Sequence, residues 1–319
     1  MSTTSAVQEK DGVRQVRGRY RGSGLSRKHR EWIAGYLFLA PDLLGLLVFL
    51  AVPMLISLGL GFFEVDGFGN FSFVGTRNYL LMFADAQFLT SLRVTVTYVV
   101  LVVPGIFIAG LLLALLVKQR IPFVGILRSM FFIPNVVSLV VVGFVWKYML
   151  ADNIGLVTQL VQSMGLGSFS WLGDPRLALG TVLCVVIWFS MGYNMIIFLA
   201  GLQEIPREYY EAASIDGAGG WTSFWNITWP LLRPTSFFVL LTLMVSAVSG
   251  QSGFDLIYVM TKGGPVNSTA LGIFYIYQQA FQFGHYGYAA AMASFLVVIM
   301  LVATIIMFAV TKGGRFDFE

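Results

Sequence analysis

The side chains best suited to making and breaking bonds are few and scattered in this sequence. It has two histidines, His29 and His285, far apart, and one cysteine, Cys184, inside an apolar run. No HExxH or CxxC spacing occurs, so no metal site is expected. None of the six lysines follows a glycine and precedes Ser or Thr, so the chain has no Walker A phosphate loop. No cofactor and no catalytic residue is therefore expected. Two other constellations carry chemistry. Glu204, Glu208, Glu211 and Asp216 fall within thirteen residues, and Gly217, Ala218, Gly219 and Gly220 follow at once. Acids beside small residues suit docking to a basic partner. The second constellation is Trp188, Ser190, Tyr193 and Asn194 in one apolar stretch, and Ser246, Ser249, Gln251 and Gly253 in another. Neutral hydroxyls, amides and aromatic rings suit a neutral polyhydroxy solute better than an ion. Ser, Gly and Asn also serve to pack helices together, and Gly192 and Gly253 are read foremost in that way.

The elements that must position these groups are membrane helices. The chain is 57% hydrophobic and only 11% charged, with a mean hydropathy of +0.79; soluble domains carry about 25% charged residues. A bilayer core of about 30 Å takes roughly 20 apolar residues in a helix. On that basis six spans are expected near 33–63, 89–117, 124–150, 177–201, 235–260 and 288–311, an all-α polytopic bundle. Residues 1–31 form a basic tail, 32–311 the membrane domain with a loop at 203–230, and 312–319 a short C-terminal tail. The first 30 residues hold eight basic side chains, Lys10, Arg14, Arg17, Arg19, Arg21, Arg27, Lys28 and Arg30. They read as a cytoplasmic tail rather than a signal peptide or a nucleic-acid-binding arm. With Lys118, Arg120, Arg128, Arg207, Arg233, Lys312 and Arg315, fifteen of the twenty basic residues then face the cytoplasm, as do both termini.

The acidic stretch thus lies on the cytoplasmic side. Pro206 suits the first turn of a new helix, and Glu204 and Glu208 sit near its positive end. Ala212, Ala213 and Ser214 give a low surface, and the glycine run allows a sharp bend. Trp221, Phe224, Trp225 and Thr228 recur at helical spacing before Pro230 and Pro234. A helix lying on the inner leaflet is the plainer reading, but such helices favour Lys and Arg on their polar face.

Glu211-Ala212-Ala213, three residues, Gly217, nine residues, Ile227, two residues and Pro230 resembles the EAA motif of bacterial ABC importer permeases, with Trp229 where leucine is usual. The segments 129–150, 170–180 and 254–293 resemble its carbohydrate-uptake branch, the maltose and glycerol-3-phosphate type. The likeness covers nearly the whole chain after residue 35. It implies that Glu208, Glu211, Ala212, Ala213, Asp216, Gly217, Ile227 and Pro230 belong to a coupling helix and its support, docked to an ATPase. It also implies the partners: a second, non-identical permease, two ATP-binding subunits, an extracytoplasmic solute-binding lipoprotein or periplasmic protein, and the lipid of a bacterial inner membrane. This subunit itself would not be an enzyme. The sugar site, by the same resemblance, lies on the fourth and fifth spans.

Rival function classes place different demands on the residues. A stand-alone ion-coupled transporter needs carboxylates or cations at mid-bilayer, and the spans offer only Asp42. A membrane enzyme needs a cluster of His, Asp or Cys at one face. An amino-acid or peptide permease is the nearest alternative and is set aside by family resemblance alone. Among smaller features, Pro104 and Pro134-Asn135 are expected to kink their spans, Lys147 and Arg93 to snorkel to the surface, and Ala289, Ala290, Ala291, Ala293 and Ser294 to make a small-residue face.

Overall fold

The computed structural model describes residues 27–65, 69–119, 122–251 and 253–311. The tail residues 1–26, Arg120 and the C-terminal segment 312–319 with Lys312 and Arg315 lie outside the described residues. The chain divides into two compact units at Met54/Leu55.

The described residues of the first unit are helical, and its last helix continues into the second unit. Helix α1 (Arg27–Leu46) passes through a π-turn at Leu47–Ala51 into α2 (Val52–Leu60). The π-turn closes with the Val52 N–H on the Leu47 carbonyl, directly before Pro53, which has no N–H to give. Phe38 and Phe49 are exposed, and so is Asp42.

The second unit holds every other element and one departure from an all-helical chain. Strands β1 (Phe63–Val65) and β2 (Phe71–Phe73) pair antiparallel with Phe63 opposite Phe73. The first apolar helix therefore stops at Leu60, three residues short of the expected end of its span. Then come α3 (Arg77–Ala84), α4 (Ala86–Lys118), α5 (Val124–Phe132), a 3₁₀ turn (Ile133–Val136), α6 (Leu139–Met149), α7 (Leu156–Ser163) and α8 (Ala178–Glu204). After these follow α9 (Arg207–Ile215), α10 (Gly220–Ser223), a π-turn (Phe224–Thr228), α11 (Trp229–Leu231), α12 (Arg233–Val248), α13 (Phe254–Met260), α14 (Gly272–Tyr277) and α15 (Tyr286–Val310).

Helices α4 and α8 form the centre and pack along most of their length. Phe107 and Phe198 meet edge to face there, ring centres 5.0 Å apart. Helix α12 packs on both, and α13 lies on α6. Lys147 does not snorkel: its Nζ donates to the Val259 carbonyl at 3.0 Å and so ties α6 to α13. The α15 small face is used as expected, with Ala289, Ala291 and Ser294 buried. Asp85 caps α4, accepting from the N–H groups of Gln87 (2.8 Å) and Phe88 (3.2 Å) and from the hydroxyls of Tyr275 (2.7 Å) and Tyr288 (2.8 Å). Burial alone would raise its pKa; the hydrogen bonds outweigh that and hold the carboxyl below its ordinary value.

Among the described residues four single helices are long and apolar enough to cross a membrane: Glu31–Leu60, Ala86–Lys118, Ala178–Glu204 and Tyr286–Val310. Two bent pairs bring the number to six if each counts as one span. Val124–Val136 meets Leu139–Met149 at 97°, and Gly220–Leu231 meets Arg233–Val248 at 66°. The Pro134 kink is thus a sharp break, whereas α4 runs on through Pro104.

Candidate functional site

Helix α12 has 16 residues, about 24 Å at 1.5 Å per residue, which is less than a bilayer core of about 30 Å. The chain breaks at Ser249–Gly253, where Gly250 takes a positive φ of 76°, before resuming as α13. Irregular backbone at membrane depth is tolerated where it lines a cavity or is buried in protein. Here it borders a cavity of about 430 Å³ between α8 and α12.

Five of the eight sequence-expected pathway residues converge on this cavity: Ser190, Tyr193, Asn194, Ser246 and Gln251. Ser190 and Asn194 lie one turn apart, and the Asn194 amide donates to the Ser190 carbonyl at 2.9 Å. Tyr193 is half exposed. The other three lie elsewhere. Ser249 is exposed and its hydroxyl returns to the Ser246 carbonyl at 3.2 Å. Gly253 is buried, and a Cβ there would meet the Tyr98 hydroxyl at 2.7 Å, so its smallness serves packing. Trp188 stands on the other side of α8, edge to face with Trp146 at 5.5 Å. Gly192 also packs: a Cβ would collide with the Phe131 carbonyl oxygen at the end of α5.

Sequence reading missed Asn135, Phe189, Thr242 and Asp255, which also line the cavity. Thr242 sits four residues before Ser246 and so shares its helix face. Asn135 directly follows the kinking Pro134. Asp255 matters most, because it places a carboxylate, an acceptor for hydroxyl donors, beside the neutral groups. Asp255 falls within the expected span 235–260, so Asp42 is not the only carboxylate that the expected spans contain.

The acidic loop forms a helix with a defined end. After α9, Gly217 adopts φ +76°. Its N–H bonds the Ser214 carbonyl (3.2 Å) while the Ala218 N–H bonds the Ala213 carbonyl (2.8 Å). These are the paired bonds of a Schellman motif, whose left-handed position favours glycine. Glu208, Glu211, Ala212, Asp216 and Gly217 are exposed and Ala213 is half-buried. Glu208, Glu211, Ala212 and Ile215 recur at i, i+3, i+4, i+7 and so form one stripe, with Ile215 85% exposed at its end. Ile227 and Pro230 behave differently: both are half-buried, and Ile227 packs on the core.

A hydrogen-bonded clamp not seen in the sequence holds this loop. Lys118 Nζ, at the end of α4, donates to the Tyr210 hydroxyl at 3.1 Å, and that hydroxyl shares a 2.9 Å bond with Thr228 Oγ1. Ile205, buried in the core, anchors the join between α8 and α9.

Residues 106–314 match the family described as the binding-protein-dependent transport system inner membrane component. The chain belongs to this permease family. The permease is 36% identical to the probable ABC transporter permease protein YesP of Bacillus subtilis (strain 168), over 88% of its own length and 90% of that protein. It is 33% identical to the trehalose/maltose transport system permease protein MalF of Thermococcus litoralis, over 91% of its own length and 96% of that relative. In structure it resembles a chain of a bacterial ABC transporter involved in import of the acidic polysaccharide alginate. The TM-score is 0.79 at 25% identity, covering 89% of the permease and 96% of that chain. The same transporter is known in complex with an alginate pentasaccharide-bound periplasmic protein.

Proposed function

We propose that this permease is a membrane subunit of an ATP-driven importer for a sugar or sugar-like polyol, taking its solute from an extracytoplasmic binding protein. The observation that carries this reading is the cavity between α8 and α12, whose hydroxyl, amide, phenol and carboxylate groups suit a solute rich in hydroxyls. Relatives named for trehalose/maltose, lactose and sn-glycerol-3-phosphate transport support it. In this reading the two bent pairs each count as one span, giving six, with both termini cytoplasmic in a bacterial inner membrane. Ser190, Tyr193, Asn194, Thr242, Ser246, Gln251 and Asp255 contact solute; Trp188, Ser249 and Gly253 shape the surroundings.

Helix α9 is the coupling element. Glu208, Glu211 and Asp216 rim an exposed stripe that ends in Ile215, which suits a cleft with an apolar floor and basic edges on a separate ATPase subunit. Two copies of that ATPase and a second, non-identical permease complete the assembly. Asp255 favours one rival, a solute bearing an amine, because a carboxylate pairs with a cation as readily as it accepts from hydroxyls.

Uptake of labelled mono-, di- and trisaccharides, with amino acids and short peptides alongside, in a strain lacking the chromosomal copy separates the two. Saccharide uptake that depends on this chain is the expected result; uptake confined to amino acids or peptides would refute the sugar reading. Asp255→Asn is expected to raise the KM for a neutral sugar about tenfold, the loss of one charge-assisted hydrogen bond of about 1.5 kcal/mol, and an unchanged KM would remove Asp255 from the site.

A further inference from the structure

We infer that a groove on the far side of α8 from the polar cavity binds one anionic phospholipid. The groove encloses about 570 Å³ between α6 and α8, with Trp146, Trp171, Arg176, Gly180, Cys184 and Trp188 among its walls. On α8, Gly180, Cys184 and Trp188 recur every four residues and form one stripe. At about 100° per residue, Tyr193 lies opposite this stripe and Ser190 about 120° round from Cys184. A surface turned away from the solute path in a membrane helix is open to lipid wherever no other subunit covers it.

The dimensions fit a single leaflet. From Gly180 to Trp188 the helix rises about 12 Å, against about 15 Å for half of a bilayer core. The stripe therefore accommodates an acyl chain lying along α8. Its mouth is polar in a way that fits a headgroup. Arg176 is exposed and forms no ion pair among the described residues. The neighbouring Asp174 carboxylate is engaged by the Arg176 backbone N–H at 2.8 Å. Trp171 is held over the first turn of α8 by Thr181, whose hydroxyl donates to the Trp171 carbonyl at 3.1 Å. The Trp171 indole N–H is buried and has no acceptor among the described residues. Phosphate oxygens answer the exposed Arg176 guanidinium, and the negative charge answers the cation.

This inference rests on the membrane placement of the family and is independent of which solute the importer carries. The test uses the assembled importer in detergent, with phosphatidylglycerol and phosphatidylcholine of identical chains as probes. Native mass spectrometry is expected to show wild type retaining phosphatidylglycerol several-fold over phosphatidylcholine. Arg176→Gln abolishes that preference. Gly180→Leu, at a position where a Cβ meets nothing within 4 Å, fills the groove and abolishes retention. A second measurement needs no variant. Cys184 is the only cysteine of this chain and is exposed in the groove. Its alkylation, read by the mass of this chain, should slow several-fold more with phosphatidylglycerol than with phosphatidylcholine. Equal protection by the two lipids, or no protection by either, overturns the proposal. Protection already complete without lipid would mean that a protein subunit covers the groove, and overturns it equally.

Discussion

Gly217 meets nothing within 4 Å of where a Cβ would stand, yet its φ is +76°. Gly217→Ala thus brings backbone strain of about 1 kcal/mol without a clash, and it acts on the turn that ends α9. The variant is expected to insert at wild-type level while retaining less of the ATPase on purification and importing several-fold less solute; normal retention and import together would show that the bend is dispensable. Asp85 gives a pH-dependent effect. Its folded pKa lies below the ordinary carboxylate value, so the folded state binds fewer protons between the two values. The stabilisation is whole above about pH 4 and is lost as pH falls through the folded value. Asp85→Asn keeps an N-cap but not the charge. The margin of wild type over this variant in thermal unfolding should therefore shrink from pH 7 to pH 3.5, and an equal margin at both would refute the assignment. At this scale the sequence was partly legible. Ser190, Asn194 and Ser246 announce themselves as polar groups in apolar runs, whereas Asp255 reaches the cavity only because the chain breaks before it. Tyr210 and Thr228 look ordinary until their hydroxyls meet.

The elements follow from the same physics with one systematic gap. Apolar length located α4, α8 and α15, Pro134 marked the bend between α5 and α6, and Ser246–Gly253 the break between α12 and α13. The 97° turn between α5 and α6 was not readable, because a proline permits a bend while neighbouring helices set its angle. The β1–β2 pairing lies just past the end of the first apolar helix, where alternating Phe63, Val65, Phe71 and Phe73 suit strands as well as the tail of a span. Contact at Gly192 fixes how α5 approaches α8. A methyl there collides with the Phe131 carbonyl oxygen, and because backbone cannot swing aside as a side chain does, the helices must separate. Overpacking of this kind costs about 1–3 kcal/mol. Gly192→Ala is expected to lower the unfolding temperature and to raise the KM for import, since Asn135 and Leu139 beyond that contact line the cavity. A variant as stable as wild type with an unchanged KM would show that α5 does not set the shape of the site.

At the scale of the whole permease, the proposed coupling requires energy delivered at α9 to change the cavity between α8 and α12, and only a difference in partner affinity between two conformations can shift that equilibrium. Helix α9 is joined to the bundle at three places: through Ile205 to α8, through Tyr210 to Thr228 just before α12, and through Tyr210 to Lys118 at the end of α4. These are the three helices that pack on one another at the centre. In the proposed coupling a displacement of α9 reaches all of them, crossing the 66° bend between α11 and α12 on its way to α12. Tyr210→Phe removes the hydroxyl on which two of the joins depend and leaves the buried Thr228 hydroxyl with only the Ser223 carbonyl at 3.5 Å. The exposed stripe from Glu208 to Ile215 is untouched, so ATPase association should persist. In proteoliposomes with binding protein, ATP hydrolysis is expected to continue while solute transported per ATP falls several-fold. Lys118→Gln should lower that ratio less, since the Tyr210–Thr228 bond survives it. An unchanged ratio in Tyr210→Phe would mean that Ile205 alone carries the motion, and that the clamp serves only to hold α9 in place.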